Sequence, residues 1–423
     1  MKKRETRSPF FNRAYGGFSR AQEEFFRDLV GNPRGKIVLD PMAGQAASLI
    51  PFAERGARLW IGDLNPAPLL LAFLRSPAVV ANHEMYVAKL SEMLAALKRR
   101  RIRRGTINRF VPTWIAPEVA NDLKEFASRL ELGLFSSPFV AMSDFWLCDD
   151  FAKFATAIAV LAARDLACYR QTDNRTWLKP GGLLRDNNAI GPLSRALAAW
   201  AIFATRASRE KPESEGGEFH IGLMNATMGD FGDIPKAHWI ITSPPYANRL
   251  DYTRLWAPEL NVLSSMCHTT YEKQKREQIG TIVVEDTAAN DKDISLLPKK
   301  IRVALDRVKK DHAAYSESYY YPFFRNYAVA LTKSLKYLPS LLRRQGMLAI
   351  VVRDTVRKDI LFPTGELISA VLTSKDCGLE QVEGAQHVIR HHVGLLRKSS
   401  TQGLYGLAQQ EWWLVFRKPH GGR

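Results

Sequence analysis

Lys36-Ile37-Val38-Leu39-Asp40-Pro41-Met42-Ala43-Gly44-Gln45-Ala46-Ala47 is the stretch that decides the fold. Three apolar residues closing on a carboxylate read as a short buried strand. The small residues after Pro41 read as a tight turn into a helix, Ser48 to Arg55. Small side chains let the backbone approach a ligand closely, and a helix N-terminus presents free N–H groups. A second strand follows, Arg58-Leu59-Trp60-Ile61-Gly62-Asp63, again with an acid at its carboxyl end. This succession opens a doubly wound α/β sheet. In such sheets an acid about twenty residues past the turn accepts hydrogen bonds from ribose hydroxyls.

Farther along, the apolar run Trp239-Ile240-Ile241 ends in Thr242-Ser243-Pro244-Pro245-Tyr246. Two prolines fix φ and remove two backbone donors, so the turn is rigid and its carbonyls are free to accept. Ser243 adds a neutral acceptor and Tyr246 an aromatic face. A strand ending this way can hold a flat, amine-bearing ring with acceptors aimed at the amine. A purely structural turn is the other reading of the same residues.

Taken together, the two stretches resemble the S-adenosylmethionine-dependent amino-methyltransferases of DNA. That family's cofactor loop is Asp-Pro-Phe-x-Gly-x-Gly, and its catalytic loop is Ser/Asp/Asn-Pro-Pro-Tyr/Phe/Trp. Asp40, Pro41 and Gly44 match the first pattern, with Ala43 inside it; Met42 replaces the aromatic and Ala46 the last glycine. A negative φ at Ala46 would make that replacement harmless. Asp63 matches the ribose-binding acid, and Ser243, Pro244, Pro245 and Tyr246 match the catalytic loop in full. The resemblance implies a Rossmann-like class I methyltransferase sheet with an antiparallel last strand, and S-adenosylmethionine as cofactor. The serine form of the catalytic loop is more similar to N4-cytosine enzymes than to N6-adenine ones. An acid after the third strand is expected to hydrogen-bond the cofactor's adenine, with Asp230 chosen over Asp233.

Composition agrees with a nucleic-acid partner. The 423 residues carry 60 Lys and Arg against 43 Asp and Glu, a formal charge of +17, which attracts polyanions. A generic basic protein is the alternative. The cysteines Cys148, Cys168, Cys267 and Cys377 have no CxxC spacing, which argues against a disulfide or zinc framework. The basic start Met1-Lys2-Lys3-Arg4 has no apolar core, and no run is long enough to cross a bilayer. The expectation is a prokaryotic cytosolic or nucleoid protein without a membrane partner. No metal site is expected: His387 and His391 lie four apart on a segment that reads as a strand.

Three blocks organise the chain. Residues 1–79 hold the cofactor-binding half, with Tyr15 to Phe18 and a capping box (Ser19, Gln22) ahead of the first helix. Residues 80–218 form an inserted, mainly helical region for target recognition. Its helices are read at Met85 to Leu97, Phe151 to Leu166 and Leu193 to Ala207. Within it, Lys98-Arg99-Arg100-Arg101-Ile102-Arg103-Arg104 is self-repelling unless an anion neutralises it. Trp114, Phe145, Trp146 and Trp177 interleave with Arg164, Arg170, Arg175 and Arg185, a composition suited to phosphate and base contacts. Lys211 to Gly217 reads as a linker. Residues 219–423 complete the sheet and carry methyl transfer. Here Arg249 and Arg254 are expected at the target pocket or phosphate backbone, and 271–322 is read as a charged, irregular insertion that clamps DNA. The remaining elements are a helix Phe323 to Leu341, a strand Gly346 to Val352, a helix Gly365 to Thr373, and a hairpin pairing His387 to His392 with Glu411 to Phe416.

The chemistry the resemblance implies is direct. Hydrogen bonds from a base's amine to Ser243 and to the Pro244 carbonyl favour a pyramidal nitrogen, and acceptors already in place meet the developing charge. Tyr246 stacks on a base extruded from double-stranded DNA. The role implied is site-specific DNA methylation, N4-cytosine favoured over N6-adenine, within a restriction-modification or defence system, with a cognate restriction endonuclease or other defence subunit as partner. Two alternatives stay open: an RNA or tRNA base amino-methyltransferase, and a non-catalytic nucleic-acid-binding subunit with the same fold.

Overall fold

The computed structural model describes residues 20–99, 108–130, 149–172, 178–210, 217–229, 231, 233–248, 251–266, 271–281, 291–312, 315–357, 360–388 and 410–420. The strands of its main sheet are β1 (Ile37–Asp40), β2 (Arg58–Asp63), β3 (Phe219–Leu223), β4 (Ala237–Thr242), β5 (Leu342–Arg353), β6 (Glu380–Val388) and β7 (Gln410–Arg417). They form a seven-stranded sheet of order β6-β7-β5-β4-β1-β2-β3. β1 pairs in parallel with β4 (Leu39 opposite Ile240), and β4 with β5 (Ile240 opposite Leu348). β2 pairs in parallel with β3, Asp63 opposite Leu223. β7 runs antiparallel to both its neighbours, β5 and β6. The expected antiparallel last strand is therefore present, and β6 runs the same way as β5.

The centres of the inner strands are continuous apolar runs, as expected where helices cover a parallel sheet on both faces. Val38, Leu39, Ile240, Ile241 and Leu348 to Val352 are fully buried. β6 has a single neighbour in the sheet order and is built from Glu380, Gln381 and Glu383 with an exposed Val382. Charge at a sheet edge discourages pairing with another chain. The hairpin thus uses 380–388 rather than the expected 387–392; residues 389–392 lie outside the described set.

The chain divides into two compact units, neither continuous in sequence. The first comprises 1–35, 43–224 and 252–274, and the second 36–42, 225–251 and 275–423. The expected boundaries at 79/80 and 218/219 do not coincide with this division. The physical reason is a shared helical core. In the first unit the helix Asp150–Leu166 packs against Pro66–Phe73, Ile190–Glu210 and Ala257–Met266. Phe154 stands edge-on to Trp200 (4.7 Å) and stacks on Tyr86 (5.0 Å), while Trp200 donates to the Leu74 carbonyl (3.1 Å). Pro66–Phe73 starts by rule: the Asn65 side chain accepts from Ala67 N (3.0 Å), with proline at the first helical position. The helices read at 85–97, 151–166 and 193–207 all form, with ends up to three residues longer.

In the second unit the helix Tyr321–Leu341 packs on the helix Thr364–Leu372 and on β5. Where it is described, the insertion at 271–322 is largely helical. It contains the helices Tyr271–Glu277, Asp291–Ser295 and Lys299–Lys310 and a π-helical turn, Ser316–Tyr320. Helix Lys299–Lys310 hides its apolar stripe (Ile301, Ala304, Leu305, Val308) among cations, so its charge masked its periodicity.

One buried acid ties this unit together. Asp354, just after β5, accepts from Gly365 N (2.9 Å) and from the Trp412 indole N–H (2.9 Å), and burial raises its pKa. A Cβ on Gly365 would lie 2.4 Å from the Trp412 ring, which is tethered to the same carboxylate. Gly365→Ala is therefore expected to lower unfolding stability by about 1–3 kcal/mol through overpacking. Chemical denaturation would read this as a lower midpoint with an unchanged slope.

Candidate active site

The first component is the turn after β1. Asp40 is buried, and its Oδ1 accepts from Met42 N (3.0 Å), closing the turn over the buried Pro41. Gly44 has φ +54° and Ala46 φ +52°. The condition under which Ala46 would be harmless, a negative φ, is not met: the position where the resembled loop carries its last glycine adopts the left-handed conformation that glycine favours. An L-residue held there costs about 1–2 kcal/mol. The helix that follows is only Ile50–Ala53, far shorter than Ser48 to Arg55, because Ala46 directs the chain through a turn first.

Asp63 anchors this loop in the first unit. Its Oδ2 accepts from Gly44 N (2.8 Å) and its Oδ1 from Asn65 N (2.8 Å), while Ala43 N donates to the Gly62 carbonyl (2.8 Å). Desolvation nonetheless outweighs these bonds and raises the Asp63 pKa from 3.8 to about 6. Gln45 adds an unmet donor. Its side-chain amide nitrogen is buried and makes no hydrogen bond among the described residues. A desolvated carboxylate and an amide short of an acceptor suit a ligand carrying both hydroxyls and acceptor oxygens. Gln45 was not singled out from the sequence, since one amide inside a small-residue turn carries no spacing signal.

The second component is the turn after β4, in the second unit. Leu39 lies opposite Ile240 in a parallel pair, so Asp40 is level with Ile241, and the segments after Asp40 and after Thr242 leave the same edge of the sheet. Pro244 is buried; Ser243, Pro245 and Tyr246 are half-buried. The Ser243 hydroxyl donates to the Tyr246 hydroxyl over 3.3 Å, which leaves the Ser243 lone pairs as acceptors. Among the described residues the Pro244 carbonyl accepts no hydrogen bond, whereas the Pro245 carbonyl accepts from the Tyr327 hydroxyl (2.9 Å).

Two residues missed in the sequence support this turn. Tyr327, buried in the helix Tyr321–Leu341, reaches back 82 positions to Pro245; Arg353, ending β5, places its guanidinium 5.7 Å from the Tyr246 ring centroid. Glu411 of β7 lies 3.8 Å from Arg353 and accepts from the Trp413 indole (2.9 Å). Nothing local announces such long-range contacts. Tyr327→Phe is expected to cost about 1 kcal/mol of stability and loosen the turn, with the fold otherwise kept. A thermal melt and crystallographic B-factors at 243–246 would show it.

Other expected site residues fare differently. Arg254 donates to the Leu178 carbonyl (2.9 Å), and Arg164 pairs with the buried Glu259 (2.8 Å) and the Leu255 carbonyl (3.1 Å). Both guanidiniums thus make contacts inside the first unit. Arg170 and Arg185 are exposed, and Trp114 is half-buried. Arg99 ends the helix His83–Arg99. Arg100, Arg101, Arg103, Arg104, Asp230, Arg249, Phe145, Trp146, Trp177, Arg175, Tyr15 to Phe18, Ser19 and 211–216 lie outside the described residues. Among the described residues there is no cluster of metal-ligating side chains, and no helix long and apolar enough to cross a membrane.

No protein-family model matches this chain, and no curated protein matches it. Among solved structures it is similar to the rRNA methyltransferase aviRa from Streptomyces viridochromogenes. That likeness has a TM-score of 0.30 and 11% identity, covering 95% of this chain and 86% of the other. At that TM-score it transfers neither fold detail nor activity.

Proposed function

We propose that this chain is an S-adenosylmethionine-dependent methyltransferase acting on the exocyclic amino group of a base in double-stranded DNA, N4 of cytosine before N6 of adenine. The observation that carries this reading is the rigid Ser243–Tyr246 turn, with two acceptors uncommitted among the described residues, leaving the same sheet edge as the Asp40 turn. Asp63 would receive the ribose hydroxyls, Gln45 would donate to an acceptor of the same ligand, and Asp40, Pro41, Ala43 and Gly44 would shape the loop around it. When bound, the cofactor supplies an electrophilic methyl group.

The chain's own contribution is to make a poor nucleophile usable. An amine conjugated to a ring has its lone pair delocalised. Acceptors at Ser243 Oγ and the Pro244 carbonyl draw its two N–H bonds out of the ring plane and free that pair. The prolines and the Tyr327 bond keep those acceptors fixed, so little reorganisation is needed as charge develops on nitrogen. Tyr246 offers a ring face to the base while Arg353 stands over the ring. Positioning supplies much of the rate, and no covalent bond to the protein is required.

Titration gives a test of the cofactor half. Hydrogen bonds from ribose hydroxyls favour the carboxylate form of Asp63, so binding releases its proton below pH 6. Cofactor affinity should hold above pH 7 and fall about tenfold per unit below pH 6. Calorimetry across pH reads it directly, and Asp63→Asn should flatten the profile. For the reading as a whole, transfer of labelled methyl to duplex DNA is expected and transfer to tRNA is not. The reverse result would replace DNA with RNA as substrate, and transfer to neither would reject the enzyme.

A further inference from the structure

Helix Lys299–Lys310 and the turn that follows it carry chemistry the methyl-transfer site does not use. The helix buries Ile301, Ala304, Leu305 and Val308, and its outward arc bears Lys299, Lys300, Arg302, Arg307, Lys309 and Lys310, all exposed, against one acid, Asp306. Lys300 pairs with Glu366 on a neighbouring helix (2.6 Å). So dense a set of like charges is self-repelling without a counter-anion.

Beside it sits a cluster of tyrosines on a strained backbone. Tyr315 has φ +65° and is 73% exposed, and its carbonyl starts the π-helical turn by accepting from Tyr319 N (3.1 Å) and Tyr320 N (3.0 Å). An aromatic in the left-handed region is a genuine outlier, and π-turns concentrate at functional positions. The strain is held in place from below. Asp311 Oδ2 accepts from Ser316 Oγ (2.8 Å) and Arg357 Nη1 (2.7 Å), and the Arg357 guanidinium lies 3.6 Å from the Tyr320 ring centroid. Lys309 stands 5.4 Å from the Tyr321 ring. Ordered tyrosines flanked by cations, one of them displayed to solvent, match how an unpaired nucleic-acid strand is held: cations on phosphates, rings under bases.

We propose that this face, the outward arc of Lys299–Lys310 with Tyr315, is a second nucleic-acid contact surface: Arg302, Lys309 and Lys310 neutralise phosphates and Tyr315 stacks on an unpaired base. It rests on the nucleic-acid reading above and adds to it a strand-holding surface separate from the methyl-transfer turn.

The test is binding without turnover, with the full chain, labelled duplex and labelled single strand of one sequence, followed by anisotropy over a range of KCl. Lys309→Ala with Lys310→Ala should reduce the slope of log affinity against log salt by about 1.4 to 1.8, since each phosphate contact contributes about 0.7 to 0.9. Arg344→Ala with Lys375→Ala, an equal charge change at two other exposed positions of the same unit, should leave the slope unchanged. Tyr315→Ala should weaken single-strand binding about tenfold at constant slope, with Tyr315→Phe restoring it. An unchanged slope in the Lys309/Lys310 variant, or an equal drop in the control pair, overturns the surface while leaving the methyltransferase reading intact. A parent protein that binds neither strand nor duplex overturns the nucleic-acid reading itself.

Discussion

Tyr246→Ala is expected to lower kcat for methyl transfer to duplex DNA by about 10- to 100-fold, the value of one lost base-stacking contact. Cofactor affinity should stay within about twofold, because the ring belongs to the β4 turn rather than to the Asp63 loop. Its loss also removes the partner of the Ser243 hydroxyl and the aromatic face under Arg353. Tyr246→Phe separates these roles. It keeps the stack and loses only the 3.3 Å hydroxyl contact, so its kcat should fall less than fivefold or so. Single-turnover rates with saturating cofactor are the proper readout, since they isolate the chemical step. A Tyr246→Ala rate equal to the parent's would remove the turn from the active site.

Asp63→Asn is expected to do the opposite: cofactor affinity falls about 100-fold or more while stability is kept. Hydrogen bonds to a charged group are worth about 1.5–3 kcal/mol each, and a ribose offers two hydroxyls. The stability half of this prediction follows from the sign of the pKa shift. A carboxyl raised from 3.8 to about 6 binds its proton more tightly in the folded chain than in the unfolded one. Its contribution favours folding below pH 3.8 and is lost as pH rises through 6. At pH 8 the ionised group therefore opposes folding by up to about 3 kcal/mol. The amide relieves that penalty while its oxygen still accepts from Gly44 N or Asn65 N. A melt at pH 8 should find the variant no less stable than the parent, and a large drop would mean Asp63 is structural.

How much of this was legible in the sequence depends on how local each signal is. The β1 and β4 strands could be read because Ile37-Val38-Leu39 and Trp239-Ile240-Ile241 are short apolar runs punctuated by Asp-Pro and Ser-Pro-Pro, and every cue lies within ten residues. The antiparallel β7 was read from Glu411 to Phe416 because its apolar residues are buried in the sheet interior. Its partner β6 was displaced, since an edge strand of Glu, Gln and Gly lacks the alternation that marks a buried face. The insertion at 271–322 was misread for a related reason: six cations in twelve residues hid the stripe of Lys299–Lys310.

Ala46 is more instructive. Composition proposes glycine for a left-handed position, and here the chain reaches φ +52° without one. Tyr327, Arg353 and Gln45 were illegible because each acts through a partner or a burial state that tertiary packing creates. The contacts of Arg254 and Arg164 were illegible for the same reason. A guanidinium's neighbours decide whether it meets solvent, and theirs are the Leu178 carbonyl and Glu259.

The most direct measurement is the identity of the product. DNA incubated with the protein and deuteromethyl-labelled S-adenosylmethionine, then digested to nucleosides and resolved by mass spectrometry, should yield labelled N4-methylcytosine. Label on a ring carbon, as in 5-methylcytosine, or no label on any base while the protein binds its cofactor, would contradict the account.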